Sequence, residues 1–487
     1  MPEIENNIAA GHPLVVDLDG TLTPTDTLVE SAVRLLRQSF LNIFLLPLWL
    51  LQGRAALKRQ IAARVTLSAA GLPYNAELLA YLQAEKLRGR KIFLATAAHQ
   101  SIAQGVAEHL QLFDGVLSTD SGSNLKGSAK LAAIQQQIDS RFVYAGDSSA
   151  DLPIWQSAQA AVLVGVSRSV AGAIPKNVPV EREFQHGKAG IKTWLKALRV
   201  HQWAKNLLLF VPLLTAYSFL DAGSVLKTVL AFFAFSFCAS ATYLMNDLWD
   251  LDNDRAHPRK RMRPFASGQI PILQGIAGAF VSMCIGFALA AAVSKAFVLI
   301  LALYVVLTTT YSWVLKEYVL IDVLMLAVLY TLRIFAGAVA IGVTTSSWLL
   351  AFSVFVFLSL ALVKRCSELV SLGEGSQKMT RGRDYRVTDL VILWPLGMGA
   401  ALSAVVVFGL FISAPETQSQ YATPVLLWLM ALALIYWLSR LWIKTSRGEM
   451  HDDPIIYAFS DGGSRIVVVF MLAVMLVARF CALEIPK

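Results

Sequence analysis

Asn246, Asp247, Asp250 and Asp254 form the pattern NDxxDxxxD at the end of an apolar stretch, and Arg255, His257, Arg259, Lys260, Arg261 and Arg263 follow at once. On a helix, residues at i, i+3 and i+7 share a face, so the carboxylates of Asp247, Asp250 and Asp254 point into one volume. Such a face repels itself unless a cation sits there. An all-carboxylate site suits Mg²⁺, which takes a few carboxylates and fills its octahedron with water and substrate phosphates. The chemistry implied is a metal-bridged pyrophosphate at a membrane surface. The cations that follow have a plainer reading as charges that orient a membrane protein.

A second set lies near the amino terminus. Residues 13–19 read as a buried strand ending in Asp17 and Asp19, followed by Gly20 and Thr21. Alternate residues at a strand end point the same way, so the two carboxylates can act on one substrate, one as nucleophile and the other as acid or base. A second apolar strand, Ile92 to Ala95, ends at Thr96, and a third, Phe142 to Ala145, runs into Gly146, Asp147, Ser148, Ser149, Ala150 and Asp151. Lys126 and Lys130 lie between them. Open α/β sheets place ligands at the carboxyl ends of parallel strands.

The elements that position these residues follow from the hydropathy pattern. A chain of 487 residues with 56% hydrophobic and 15% charged content is too apolar for an ordinary pair of soluble domains. From about residue 204 onward, apolar stretches of roughly 17–22 residues recur, each long enough to cross a bilayer. They are 204–220, 227–246, 271–293, 296–314, 321–342, 347–363, 391–412, 423–443 and 464–482. The first 200 residues instead alternate short apolar runs with polar helices, as an α/β domain does. Composition breaks near Gly187 to Arg199.

Segments 247–270, 315–320, 364–390 and 444–463 hold nearly all the loop Lys and Arg, whereas those around Asp221, Lys295, Thr344 and 413–422 are short or nearly uncharged. The positive-inside rule puts the basic side, and the amino-terminal domain with it, in the cytoplasm. Met1 to His12 is polar, unlike a cleavable signal peptide. Cys238, Cys284, Cys366 and Cys481 lie in or beside spans without metal-ligand spacing, and no disulfide framework is expected. The net charge of +9 clusters at membrane edges, which points to membrane lipids and phosphate as partners rather than nucleic acid.

The ordered set DxDGT, Thr, Lys and GDxxxD resembles the haloacid dehalogenase superfamily of phosphohydrolases over about residues 13–185. The resemblance implies that Asp17 attacks phosphorus and Asp19 protonates the leaving oxygen. Thr96 and either Lys126 or Lys130 would bind the phosphoryl group, with Lys130 slightly favoured because Gly-x-x-Lys precedes an apolar helix. Asp147 would hold Mg²⁺ together with Asp17, supported by Asp151. Residues 22–88 would form a helical cap over the site, and its stretch Phe40 to Leu51 is apolar enough to lie on a membrane.

Nine spans with NDxxDxxxD resemble the intramembrane prenyltransferase (UbiA-type) superfamily over about residues 195–485. That resemblance implies transfer of an isoprenoid chain from its diphosphate to an aromatic or lipid acceptor, using two Asp-rich motifs and Mg²⁺. The second motif is reduced here to Asp384 and Asp389, beside Arg381, Gly382, Arg383 and Arg386. The segments Arg199 to Asn206, Asp254 to Gly268, Leu315 to Asp322, Leu332 to Arg333 and Asp453 to Ile455 are similar to a narrower branch, the decaprenyl-phosphate phosphoribosyltransferase group. Its donor is phosphoribosyl pyrophosphate and its acceptor a polyprenyl monophosphate. On this resemblance Asp247, Asp250 and Asp254 hold Mg²⁺ next to Asn246, while Lys205, Lys260, Arg261, Arg263, Lys316, Arg333, Lys364 and Arg365 clamp phosphate. Arg333 has a competing reading as a helix-packing residue. Charge at His451, Asp452, Asp453, Asp461 and Arg465 adds the fourth inner loop to a common cytoplasmic mouth.

The expected architecture is an α/β, haloacid dehalogenase-like (Rossmannoid) domain with a helical cap at 1–190, then an all-α membrane domain of about nine transmembrane helices at 191–487. The expected function is a bifunctional inner-membrane enzyme. It would move 5-phosphoribose from phosphoribosyl pyrophosphate to a polyprenyl phosphate with Mg²⁺, and its amino-terminal domain would hydrolyse a phosphate monoester such as the 5-phosphate of the product. An acceptor phosphate is already ionised, so transfer needs no strong base, and charge on the leaving pyrophosphate falls to metal and Arg/Lys. The alternative is a polyprenyltransferase acting from a prenyl diphosphate on a 4-hydroxybenzoate-like aromatic acceptor. A transporter or lipid-binding scaffold would show inverted broken helices, and the complete phosphatase motifs count against it.

Overall fold

Short apolar runs bounded by turn residues become the strands β1 (Leu14–Val16), β2 (Ile92–His99), β3 (Gly115–Thr119), β4 (Val143–Gly146) and β5 (Ala160–Val164), and the charged, largely exposed run β6 (Val180–Phe184) completes the set at the sheet edge. They form one parallel sheet in the order β3-β2-β1-β4-β5-β6. Leu14 is in register with Ile92 on one side and Val143 on the other, so β1 and β4 finish side by side. Side chains alternate between the faces, as the two-residue strand period requires. Leu14, Val16, Ile92, Leu94, Val143 and Ala145 enter one buried cluster, while Val15, Ala95, Phe142, Tyr144, Ala161 and Leu163 enter the other. Burial on both faces is what a parallel sheet demands.

This computed structural model describes residues 11–119, 125–185, 189–373, 383–450 and 453–482. Gly187, Arg381, Gly382, His451 and Asp452 of the sequence reading, and most of the polar segment from Met1, lie outside the described residues. The chain divides into two units, Met1–Leu198 with Tyr243–Ala279, and Arg199–Thr242 with Phe280–Lys487.

In the first unit a helical insert follows β1: α1 (Thr27–Gln38), a 3-10 turn over Phe40–Phe44, α2 (Leu45–Leu51) and α3 (Arg54–Ala62). The Asp26 side chain caps α1 by accepting from the N–H groups of Leu28 and Val29. Leu35, Trp49, Ile61 and Val65 give the insert its own small core. The next helix, α4 (Ala76–Leu87), was expected to belong to the cap, but Leu78 and Leu82 are buried in the same cluster as Leu14 and Leu94. The insert is therefore shorter than 22–88, because Leu78 and Leu82, one turn apart on α4, pack against the sheet. Strand β2 also runs past Thr96 to His99, where His99 pairs with Thr119 beyond a register shift.

Among the described residues, eight helices are long and apolar enough to cross a membrane. They are α5 (Ala222–Trp249), α6 (Ile272–Val293), α7 (Lys295–Trp313), α8 (Ile321–Ile341), α9 (Ser347–Gly373), α10 (Leu390–Ser413), α11 (Leu427–Ser446) and α12 (Gly462–Phe480). The ninth apolar stretch, 204–220, folds as a 3-10 segment Val200–Phe210, a short α-helix Val211–Thr215 and a 3-10 turn Ser218–Leu220. Pro212 starts a new helix rather than continuing one, and Tyr217 adopts a left-handed φ of 54° that ends it. The broken segment is seated closely: a Cβ on Gly337 of α8 would lie 2.2 Å from the Leu209 carbonyl oxygen. That approach places Lys205 and Asn206 against the polar residues of α8.

Candidate active sites

The adjacent ends of β1 and β4 bring the two acidic motifs together. A Cβ at Gly20 would fall 2.2 Å from Asp147 Oδ2, and Gly20 has φ +77°, so glycine is needed both for the turn and for the approach of Asp147. The carboxylate oxygens of Asp17, Asp147 and Asp151 lie within 4.8 Å of one another. Lys130 Nζ, from the helix Ser128–Gln137, donates to Asp17 Oδ2 at 2.7 Å and is buried. Lys126 is exposed on the rim of the same cavity. Of the two lysines left open by the sequence, Lys130 is the one that meets the nucleophile position.

The cavity holds about 460 Å³ and is lined by Asp17, Asp19, Lys130, Asp147 and Asp151 below, and by Leu50, Arg54, Leu57 and Lys58 of the insert above. Thr96 is fully buried in β2, where its hydroxyl accepts the Ala98 N–H at 3.0 Å, and the cavity wall there comes from Ala97, Ala98 and His99.

Burial without full compensation governs the charges. The Asp17 carboxyl is pushed up by burial, with the Lys130 charge pulling it down and Asp151 adding to the rise. Burial, then the Asp26 charge, lifts Asp19 to about 7, although its Oδ1 accepts the Thr27 N–H at 2.9 Å. A carboxyl in that range can hold a proton near neutrality and release it, as an acid catalyst must. Asp147 also rises to about 7, from burial and then the charges of Asp151 and Asp17. Crowded oxygen donors of this kind fit a hard divalent cation, which would relieve their repulsion. Asp151 is the most occupied of the three: Oδ2 accepts from the N–H groups of Asp147 and Ser148, both at 3.2 Å, and Oδ1 from Tyr144 Oη at 3.0 Å.

Tyr144 was missed as a site residue. Its hydroxyl also bonds Lys130 Nζ at 3.0 Å and lies 3.4 Å from Asp17 Oδ2. The signal was a tyrosine inside an otherwise apolar buried strand, since a buried phenol needs a partner. Tyr144→Phe is expected to lower phosphatase kcat roughly tenfold by leaving Asp151 and Lys130 one bond short. Steady-state hydrolysis of a soluble phosphate ester checks this, and an unchanged kcat would make Tyr144 a packing residue. Lys58, also missed, donates to the Ala97 carbonyl at 2.6 Å, and burial lowers its pKa.

The second acidic set also lies in the first unit. Helix α5 stops at Trp249, and Asp250 breaks the helical line before Leu251–Ala256, yet the N–H of Asp250 still bonds the Asn246 carbonyl and that of Asp254 the Asp250 carbonyl, each at 2.9 Å. The helical hydrogen bonding thus continues across the break, but among the described residues only Asp17, Asp147 and Asp151 bring three carboxylates within 4.8 Å of one another. Arg263 Nη1 lies 3.1 Å from Asp247 Oδ1 and 2.7 Å from Asp254 Oδ2, so a cation from the basic run already joins two of the three carboxylates. Asp250 Oδ2 accepts from Asn246 Nδ2 at 3.3 Å. Asp252, on the opposite face and absent from the sequence reading, pairs with Arg34 at 2.5 Å and Arg37 at 3.2 Å. Arg255 forks onto Glu30 at 2.9 and 2.7 Å. Arg261 lines a neighbouring cavity with these arginines.

In the second unit, Lys205 Nζ at 2.7 Å and Lys364 Nζ at 3.2 Å share Asp453 Oδ2. Burial acts to raise the Asp453 carboxyl, but the charges of Lys364 and Lys205 outweigh it and hold the group well below the usual carboxylate range. Arg333 donates to Asn206 Oδ1 at 2.9 Å, to the Leu329 carbonyl at 2.6 Å and to Tyr304 Oη at 2.9 Å. It is an organiser of the 3-10 segment that carries Lys205. Arg365 is fully buried, with Asp322 at 2.7 Å and Glu368 as its partners. This placement corrects the expectation of a phosphate clamp, because the side chain has no surface to offer a soluble donor. Lys316 lies in the 3-10 turn Leu315–Glu317 and is partly exposed.

Comparison with known proteins agrees with the motifs. A model of the UbiA prenyltransferase family matches residues 207–460, and one of haloacid dehalogenase-like hydrolases matches residues 14–156. The chain is 38% identical over 473 residues to the uncharacterized protein y4nM of Sinorhizobium fredii, across 95% of this chain and 91% of that protein. It is 31% identical over 230 residues to a decaprenyl-phosphate phosphoribosyltransferase of Corynebacterium glutamicum, across 46% of this chain and 69% of that enzyme. A solved UbiA homolog from Archaeoglobus fulgidus bound to GPP and Mg²⁺ aligns over 58% of this chain and 100% of its own, with 17% identity and a TM-score of 0.46. The chain belongs to the UbiA prenyltransferase family, as a multi-pass membrane transferase that also carries a haloacid dehalogenase-like hydrolase domain.

Proposed function

We propose that the membrane region, about 191–487, transfers 5-phosphoribose from phosphoribosyl pyrophosphate to a polyprenyl phosphate, and that the domain at about 1–190 removes the 5-phosphate from the product. The observation that carries the choice of donor is the state of the second acidic motif. Asp389 is used as a cap, its Oδ2 accepting the Arg386 N–H at 2.9 Å, while the second unit gathers Lys205 and Lys364 on one carboxylate. A membrane region with a single intact acidic motif and many cations favours a soluble donor bearing three phosphates over a prenyl diphosphate, whose tail supplies much of its binding. Similarity to the decaprenyl-phosphate phosphoribosyltransferases supports the same choice.

In transfer, an acceptor phosphate oxygen forms a bond to the anomeric carbon as the bond to pyrophosphate breaks. Asp247, Asp250 and Asp254 would hold Mg²⁺, which when bound neutralises charge on the leaving group. In hydrolysis, Asp17 attacks phosphorus, the ester bond breaks, and Asp19 gives its proton to the leaving oxygen. Asp19 then takes a proton from the water that attacks the aspartyl phosphate, which returns both carboxyls to their starting states. Lys130 favours the ionised form of Asp17 against the burial that raises it, and aims its carboxylate. Asp17 and Asp147 would hold Mg²⁺ here, with Asp151 fixing the loop. Fusion raises the effective concentration for the second step.

Parallel incubations test the donor: labelled phosphoribosyl pyrophosphate with polyprenyl phosphate, and prenyl diphosphate with 4-hydroxybenzoate. Label entering lipid in the first alone is the expected result, and a prenylated aromatic in the second alone would replace this reading by the aromatic one. We further propose that the protein lies in the inner membrane with both sites cytoplasmic, from the loop charge asymmetry. In a Cys-free background, Arg383→Cys is expected to react only from the cytoplasmic side and Ser419→Cys only from the opposite side. The reverse pattern would invert the topology.

A further inference from the structure

The insert over the phosphatase cavity carries a surface that soluble phosphatases do not need. Between Ser31 and Ala76 there is no carboxylate, but six cations, Arg34, Arg37, Arg54, Lys58, Arg59 and Arg64. Between these cations runs Phe40–Leu51, a short apolar helical stretch whose side chains largely face outward. Leu41 is 71% exposed, Phe44 69% and Leu51 85%. Apolar residues of this size on one short segment exceed the scattered exposure that a soluble surface tolerates.

Three further facts identify what covers it. First, the insert is tied to the loop between the membrane helices α5 and α6: Arg34 and Arg37 hold Asp252, and Glu30 holds Arg255. Val29 and Val33 of α1 pack on the cluster of Leu248, Leu251 and Phe265 in the same region. Second, the cations on the carboxyl-terminal side of the stretch, Arg54, Lys58, Arg59 and Arg64, have no acidic residue near them in sequence, which suits an anionic lipid surface rather than a neutral protein face. Third, Leu50 belongs to the exposed stretch and also lines the cavity that contains Asp17, so the apolar surface is continuous with the mouth of the site.

We infer that Phe40–Leu51 docks into the interfacial layer of an anionic bilayer and opens the phosphatase cavity toward lipid, so that an amphiphilic phosphate monoester enters along the membrane. The docking itself follows from the surface; its use for a lipid-linked substrate rests on the phosphatase reading above. Arg54 and Lys58, at the cavity mouth, meet the incoming phosphate while Leu50 and Leu57 meet its apolar part.

The test uses full-length protein in phosphatidylcholine and phosphatidylglycerol vesicles. A fluorescent label is placed at Phe44→Cys, at Leu51→Cys, or at Gln136→Cys, an exposed position on the phosphatase domain, in a Cys-free background. Lipids with brominated acyl chains are expected to quench the first two labels roughly fivefold more than the third. Equal quenching at all three positions would overturn the docking, as would shielding from aqueous quencher without lipid quenching, which would mean a protein cover. Hydrolysis of p-nitrophenyl phosphate confirms that each labelled protein is folded. In a second arm, Leu41→Ser with Phe44→Ser and Leu51→Ser is expected to keep hydrolysis of that soluble ester and lose roughly tenfold on a vesicle-borne polyprenyl phosphoribose. Equal activity on both substrates would overturn lipid delivery. Loss of the phosphatase reading would instead show as native hydrolysis by Asp17→Asn, with the quenching pattern unaffected.

Discussion

Asp17→Asn is expected to cut phosphate release by roughly a thousandfold or more, the scale seen when a nucleophile is removed from a covalent mechanism, while lipid transfer stays at the level of the native enzyme. Asn matches Asp in shape and keeps the oxygen that accepts the Leu18 N–H at 2.8 Å, so the turn after β1 should survive. What is lost is the charged oxygen that Lys130 holds. The separation of effects is informative because Asp17 lies at the end of β1, whereas the transfer reading relies on carboxylates at the end of α5. Initial rates on a soluble ester, beside transfer rates on the same preparation, check it. Phosphate release at the native rate would remove Asp17 as nucleophile.

The second large effect is at Asp250. Asp250→Ala is expected to lower Mg²⁺-dependent transfer by roughly a hundredfold or more, since losing a metal ligand costs at least as much as losing its outer support, and to leave hydrolysis unchanged. Asp247 and Asp254 share Arg263, so changing either one also disturbs a partly buried ion pair. Asp250 is the cleaner probe. It sits at the break after α5, and its side chain makes no capping bond to the helix it begins. Transfer measured across a Mg²⁺ titration distinguishes weakened metal binding from a general loss of fold, and full transfer in the variant would exclude the metal-bridged pyrophosphate.

Much of the phosphatase half could be read from the chain because its signals are local. A three-residue apolar strand followed by DLDGT, and another followed by GDSSAD, specify both element and chemistry, and parallel pairing of β1 with β4 brings them together. Tyr144 is different. Its role comes from which face of β4 it takes and from Lys130 meeting it from a distant helix, a relation that no spacing reveals. The cap boundary was overextended for a similar reason: nothing local in α4 says whether the insert or the sheet covers Leu78 and Leu82.

The membrane half was legible in the placement of its apolar stretches and less so in its charges. Pro212 gave a local warning that 204–220 would break, but the close approach of Gly337 to Leu209, which fixes the broken segment, is a tertiary fact. Charged residues near spans are read from sequence as functional or topogenic. The internal ties of Arg365 to Asp322 and of Arg333 to Asn206 and Tyr304 are a third outcome, visible only when the partners are known. Asp453 gains its importance the same way, by standing between Lys205 and Lys364.

We propose that one chain makes a phosphorylated glycosyl lipid and then dephosphorylates it. Mass analysis of the lipids formed from labelled phosphoribosyl pyrophosphate and polyprenyl phosphate by vesicles of the native protein and of Asp17→Asn tests this most directly. The native protein should accumulate the ribosyl lipid without its 5-phosphate, and Asp17→Asn the same lipid heavier by one phosphoryl group. The same lipid product from both proteins, or no labelled lipid from either, would contradict the account.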